Sequence, residues 1–168
     1  MAWPDNAPVF TICAAQVTVV GATTLALIHT TASGDGSRIA LCRAWVSQSG
    51  TPTNYQETVE IDHYASGTMP TVVAHTPKPL IMDLPAAGIV GGTSGAAGTA
   101  GINASAEGTG TRTVLWAEGF NTLNGWLWLP TQDQYIGVPP DTTVGLKFTS
   151  TPTALTEWTV GLVYIEIN

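Results

Sequence analysis

No segment of this chain shows a convincing 3.6-residue periodicity. Its apolar residues come instead in short runs, rich in Val, Ile, Thr and aromatics, each closed by Gly, Pro, Asn or Asp. That pattern admits strands and turns, because β-branched and aromatic side chains fit a pleated surface and the closing residues stop it. The runs are "VFTICAAQVTVV", "TTLALIHTT", "RIALCRAWVSQ", "ETVEIDHY", "TRTVLWAEGF", "GWLWLP", "QYIGVP", "TTVGLKF" and "EWTVGLVYIEI". About eight to nine strands with turns every eight to twelve residues predict an all-β, single-domain antiparallel β-sandwich or jelly roll.

Three details refine that expectation. Asp35-Gly36 in "SGDGS" reads as a hairpin corner, since Gly accepts positive φ without penalty. In "ETVEIDHY", Val59, Ile61 and His63 alternate with Glu60, Asp62 and Tyr64, which predicts a strand with one buried and one wet face. In the last run, Trp158, Val160, Leu162 and Tyr164 alternate with further apolar residues, so both faces are apolar. That suits a central strand or one covered by another subunit.

Two regions stand outside the series. Residues 1–9, within "MAWPDNAPVF", carry two prolines and read as an extended N-terminal arm before a domain spanning 10–168. Residues 85–110 are a Gly/Ala/Ser/Thr tract with few large side chains, expected to be a long surface loop or a strap lying on a neighbour.

Composition then limits function. At 168 residues the chain can bury a core of its own without disulfide or metal. Only 10% of residues are charged, against about 25% in a typical soluble domain, which suits a protein covered by partners. The net charge is -7, and Arg38, Arg43, Lys78, Arg112 and Lys147 are scattered, which excludes the basic footprint of a nucleic-acid binder. No stretch approaches the length of a membrane helix, and the N-terminus lacks the pattern of a secretory signal. The expectation is a protein folded in the cytoplasm that made it. Cys13 and Cys42 each lie in apolar surroundings and read as buried thiols, with a bridge between them left open.

Catalytic and metal motifs find little support, and no cofactor is expected. "GGTSGAAG" offers Gly92 and Ser94 of a nucleophile elbow but Ala96 in place of the last glycine, with no helix to follow. His29, His63 and His75 lack ligand spacing, and His63 reads as a core or interface histidine. Glu60 and Asp62 could hold calcium or act as an acid/base pair, but a solvated strand face is favoured. An enzyme of the cupin type would need a His/Glu metal set pointing into a barrel.

Trp126 and Trp128 in "NGWLWLP" sit at alternate positions, flanked by Leu127 and Leu129, so both strand faces are apolar. A sugar platform is one reading of such rings; sandwich core or subunit seam is the favoured one. Trp126, Trp128, Tyr135, Trp158 and Tyr164 are the candidate core or interface residues. Trp3, Pro4 and Phe10 are the candidate contacts of the arm.

Two blocks, "RIALCRAWVSQSGTPTNYQETVEIDHYASGTMPTVVAHTP" and "GWLWLPTQDQYIGVPPDTTVGLKFTSTPTALTEWTVGLVYIEI", carry a resemblance. The first has a strand, a small polar loop, a second strand with an acidic and polar end, and the Gly67-Thr68 turn. The second has the tryptophan-proline segment, a Val-Pro-Pro turn, a Gly-Leu strand and a closing strand ending in Glu166. In this order they resemble a family of small tailed-phage structural proteins with a jelly-roll fold, described as decoration, cement or capsid-associated proteins. The resemblance covers roughly half the chain and omits the first ten residues and the tract 85–110. It implies a non-enzymatic virion protein, a homotrimer seated on or between major capsid proteins at the capsid surface. A carbohydrate- or receptor-binding β-sandwich of a virion is the alternative.

Overall fold

The computed structural model describes residues 7–20, 23–50, 54–93 and 96–167, and the side chains of all of these but 16, 65 and 66. Thirteen strands run along them: β1 Val9–Val17, β2 Thr24–His29, β3 Ile39–Gln48, β4 Gln56–Ser66, β5 Thr71–Ala74, β6 Lys78–Pro79 and β7 Val90–Gly91. Then follow β8 Thr99–Ala106, β9 Thr111–Asn121, β10 Trp126–Trp128, β11 Ile136–Val138, β12 Thr143–Phe148 and β13 Trp158–Glu166. A single 3-10 turn, Gln132–Gln134, is the only helical element among the described residues.

One sheet runs β10-β3-β13-β1-β6 with β11 also on β3; the other runs β5-β8-β2-β12-β4-β9 with β7 also on β8. Within them lie two sets of four, β1-β13-β3-β10 and β2-β12-β4-β9. Successive strands of the pairs cross from one sheet to the other, which is the order of a jelly roll. The all-β sandwich expected from the runs is therefore the fold. Strands β5 to β8 are an insertion between β4 and β9 that widens both sheets on the side of β1 and β2.

The core follows from alternation. Val59 and Ile61 of β4, Val144, Leu146 and Phe148 of β12, and Trp158, Val160, Leu162 and Tyr164 of β13 all point between the sheets and are buried. Trp158 is the centre of an aromatic cluster, with Phe148 at 4.8 Å and Phe120 at 6.3 Å, both edge-on, and its indole N–H donates to the Ala154 carbonyl. β13 is central, paired with β1 and β3, as its two apolar faces require.

Several expectations fail for physical reasons. Phe10, named as a contact of the arm but also part of the first expected strand, lies inside β1 opposite Tyr164, with no exposed surface and its ring 5.7 Å from that partner. Strand pairing takes in the end of the supposed arm, because β1 begins at Val9 and Leu80 donates its N–H to the Val9 carbonyl. Trp3 and Pro4 lie outside the described residues. The "SGDGS" turn has the expected positive φ at Gly36, and one at Gly34 as well, but it joins strands of different sheets and makes no hairpin.

The tract 85–110 is the largest correction, since it contains β7 and β8. β8 sits between β5 and β2, Ile89 enters the core, and Ala100 and Ala104 are buried. Its small residues contribute by allowing close approach: a Cβ on Gly101 would lie 2.2 Å from Val72 Cγ2 and 2.8 Å from the Val73 carbonyl oxygen. Glu166 fastens the tract by accepting the Gly88 N–H at 3.0 Å.

Candidate functional site

Two places gather chemistry: the edge of the sandwich formed by β9 and β10, and a polar cluster on the outer face of the seven-stranded sheet.

β9 ends its sheet and pairs only with β4 among the described strands. From Thr111 to Gly119 every residue is exposed, including Val114 (52%), Leu115 (42%) and Trp116 (45%). The pairing places Trp116 opposite Ile61 and Val114 opposite Asp62, so Leu115 is the extra residue of a bulge. On its core side β9 meets β10, the edge of the other sheet. Trp116 lies 6.4 Å from Trp128, and Glu118 Oε2 accepts the indole N–H groups of both Trp126, at 3.0 Å, and Trp116, at 3.4 Å. Trp126 and Trp128 are 6% and 4% exposed. They fill the sandwich, while Leu127 between them points out and is half exposed.

Trp158 and Tyr164 are likewise core, and burial drives the Tyr164 hydroxyl upward from its ordinary value. Tyr135 is half-buried at the end of the 3-10 turn. Among the described tryptophans Trp116 is the most exposed, with Trp45, under the Arg43 guanidinium, only partly so. Nothing in "TRTVLWAEGF" distinguished it, because which strand ends a sheet is decided by topology rather than by local pattern.

The polar cluster overturns the wet face expected for β4. Asp62 has no exposed surface, and Glu60 is 12% exposed at its side chain. Arg112 Nη1 of β9 donates to Asp62 Oδ2 at 3.1 Å and lies 3.6 Å from Glu60 Oε1. Lys147 Nζ of β12 lies 4.0 Å from Glu60 and donates to Glu107 Oε2 at 3.1 Å. Glu107 Oε1 accepts the amides of Thr23 and Thr24, and Oε2 accepts the Thr24 hydroxyl. Leu27, Tyr64, Val72 and Ala104 form a second apolar cluster on the sheet.

Burial pushes the Asp62 carboxyl up to about 6, with Glu60 adding to the shift and Arg112 and Lys147 opposing it. Burial works the same way on Glu107, but the Thr24 and Thr23 amides and Lys147 outweigh it and hold that group below its usual range. A carboxyl with no accessible surface can bind or lose a proton but cannot touch a substrate. Glu60 and Asp62 announced themselves by alternation. Arg112, Lys147 and Glu107, distant in sequence, carried no local sign of joining them.

Among the remaining candidates, Cys13 and Cys42 are both free thiols, Cys13 exposed and Cys42 buried. His29 approaches Asp141 at 3.4 Å, and His63 is half-buried on β4. Ser94 lies outside the described residues. Among the described residues no three His, Cys, Asp or Glu side chains are placed to share a metal ion, and no helix is long and apolar enough to cross a membrane. No family model, curated protein or solved structure matches the chain.

Proposed function

We propose that this chain is a structural component of a phage virion, a non-enzymatic jelly roll that decorates and reinforces a capsid through contacts with its own copies and with the shell. The observation that carries the reading is β9, exposed at nine successive positions that include Val114, Leu115 and Trp116. Soluble domains blunt such edges with charged side chains, Pro, bulges or a covering loop. β9 has the bulge at Leu115 but neither Lys nor Pro, and its two charges, Arg112 and Glu118, each have one atom bonded within the fold and stay partly open to solvent, so most of the edge is apolar or small. A long apolar edge on a chain with 10% charged residues suits a protein that works in an assembly. The resemblance of the two sequence blocks to capsid-associated jelly rolls points the same way.

The test is to mix the purified protein with empty shells built from the major capsid protein of its own phage and to sediment them. Saturable binding at a fixed ratio to capsid subunits is expected. A protein that stays in the supernatant at every concentration removes the reading.

Trp116 favours a second reading, a carbohydrate-binding virion module. Its ring is half exposed, and its N–H is held by Glu118, which fixes the plane on which a sugar could stack. Glycan binding by the wild type that disappears in Trp116→Ala, with shell binding absent, would select it.

A further inference from the structure

We infer that copies of this chain associate head to tail, the β9/β10 edge of one docking on the β5/β6 edge of the next. The inference rests on the proposed structural role for the number of copies, three, and on the geometry for everything else.

The sandwich has two open sides. On one, β9 and β10 end their sheets and are joined by the Trp126 to Glu118 bond; Leu115, Trp116 and Leu127 are exposed there. On the other, β5 and β6 end the same two sheets. The turn after β6, closed by the Leu84 N–H on the Ile81 carbonyl, presents Leu80 (54%), Ile81 (57%) and Met82 (95%) to solvent. The backbone of this second side is largely used. Pro79 has no N–H, and the Val72 N–H is bonded to the Thr93 carbonyl, so it offers side chains rather than a template strand.

Charge decides between like and unlike edges. The first edge carries Glu118, whose Oε1 is not engaged by either indole, and Arg112, 39% exposed. The second carries Lys78 and Asp83, both exposed, and among the described residues Lys78 makes no ion pair. Unlike edges therefore offer Glu118 a lysine and Arg112 an aspartate. Like edges do not: residues opposed in an antiparallel pair share a face, and the bulge at Leu115 separates the charges. Arg112 follows Tyr64 on the outer face, while Glu118 follows Val59 on the core side. A self-pair of β9 would also leave Met82 and Ile81 bare. A contact between unlike edges repeats from copy to copy and closes as a ring when its rotation returns on itself, which the proposed role sets at three copies; an open filament in place of a ring would remove that number.

The test uses Leu115→Asp and Met82→Asp, both at exposed positions, with folding checked by near-UV circular dichroism and mass read by light scattering. The wild type is expected at three times the chain mass of 17.5 kDa. Each variant alone should fall to a single chain. Mixed one to one, each supplies the edge the other lacks, so the mixture should run at twice the chain mass and no further. A single-chain wild type overturns the inference. So do a Met82→Asp variant that keeps the wild-type mass, the signature of a β9 self-pair, and a mixture that stays single. Shell binding is read separately: a ring that ignores capsid shells upholds this contact and removes the capsid reading.

Discussion

Trp126 of β10 and Glu118 of β9 are joined by a 3.0 Å hydrogen bond that ties the edge of one sheet to the edge of the other. The indole is nearly buried, so its N–H has little access to water once the carboxylate is gone. Glu118→Ala should therefore cost about 1–3 kcal/mol in urea denaturation, and Glu118→Gln, which keeps an acceptor oxygen, distinctly less. Equal losses for the two variants would mean that the bond contributes nothing.

The tryptophans divide by burial rather than by spacing. Trp158 and Trp126 fill the sandwich, and truncating either to alanine should cost about 3–5 kcal/mol. Trp116→Ala, at a half-exposed position, should stay within about 1 kcal/mol while changing association. Denaturation of the three variants side by side checks the ranking, and a Trp116→Ala variant as unstable as Trp158→Ala would contradict it.

Asp62 predicts a pH dependence opposite to that of a surface salt bridge. Its folded-state value, about 6, lies above the ordinary 3.8 because burial disfavours the charge more than Arg112 and Lys147 favour it. The folded chain therefore holds this proton more tightly than the unfolded one. The stability it contributes is whole below pH about 4 and is lost as pH rises through about 6, a change of about 3 kcal/mol by linkage. Urea denaturation of the wild type across pH 4 to 8 should show this loss, and Asp62→Asn should flatten the profile. A profile unaltered by Asp62→Asn would assign the dependence to another group.

The sandwich was legible because alternation and turn residues are local, and nine runs were enough to define it. What escaped depends on contacts made at a distance. The Glu60, Asp62, Tyr64 face of β4 reads as wet because polar residues alternate with apolar ones. It is closed by Arg112 and Lys147 from β9 and β12 and by Glu107, which no spacing links to β4. The tract 85–110 reads as a loop because hydrophobic area was the criterion, yet β8 is placed by what its glycine omits. Phe10 reads both as strand, in the run that begins at Val9, and as a contact of the arm that precedes it; pairing with β13 decides for the strand.

Gly101 makes that point measurable. A methyl group there would meet the Val73 carbonyl, which is backbone and cannot turn aside, as well as Val72. Gly101→Ala should push β5 away from β8 and cost about 1–3 kcal/mol. Hydrogen exchange should show the amides of Thr71–Ala74 losing protection first. Unchanged protection would mean that the sheet absorbs the methyl by a rigid shift.

Cys13 and Cys42 should differ sharply toward thiol reagents. Cys13 is exposed on β1, while Cys42 on β3 donates its S–H to the Val163 carbonyl at 3.4 Å. Burial pushes the Cys42 thiol up to about 11, so almost no thiolate forms at neutral pH. β13 runs between the strands that carry them, which keeps the two sulfurs from bridging within a chain. In the folded protein at pH 7.5 one thiol per chain should react promptly with a chromogenic disulfide reagent. The second should react only as fast as β3 opens, and urea should bring the two rates together. Two fast thiols in the native protein would show that β3 is not held as described.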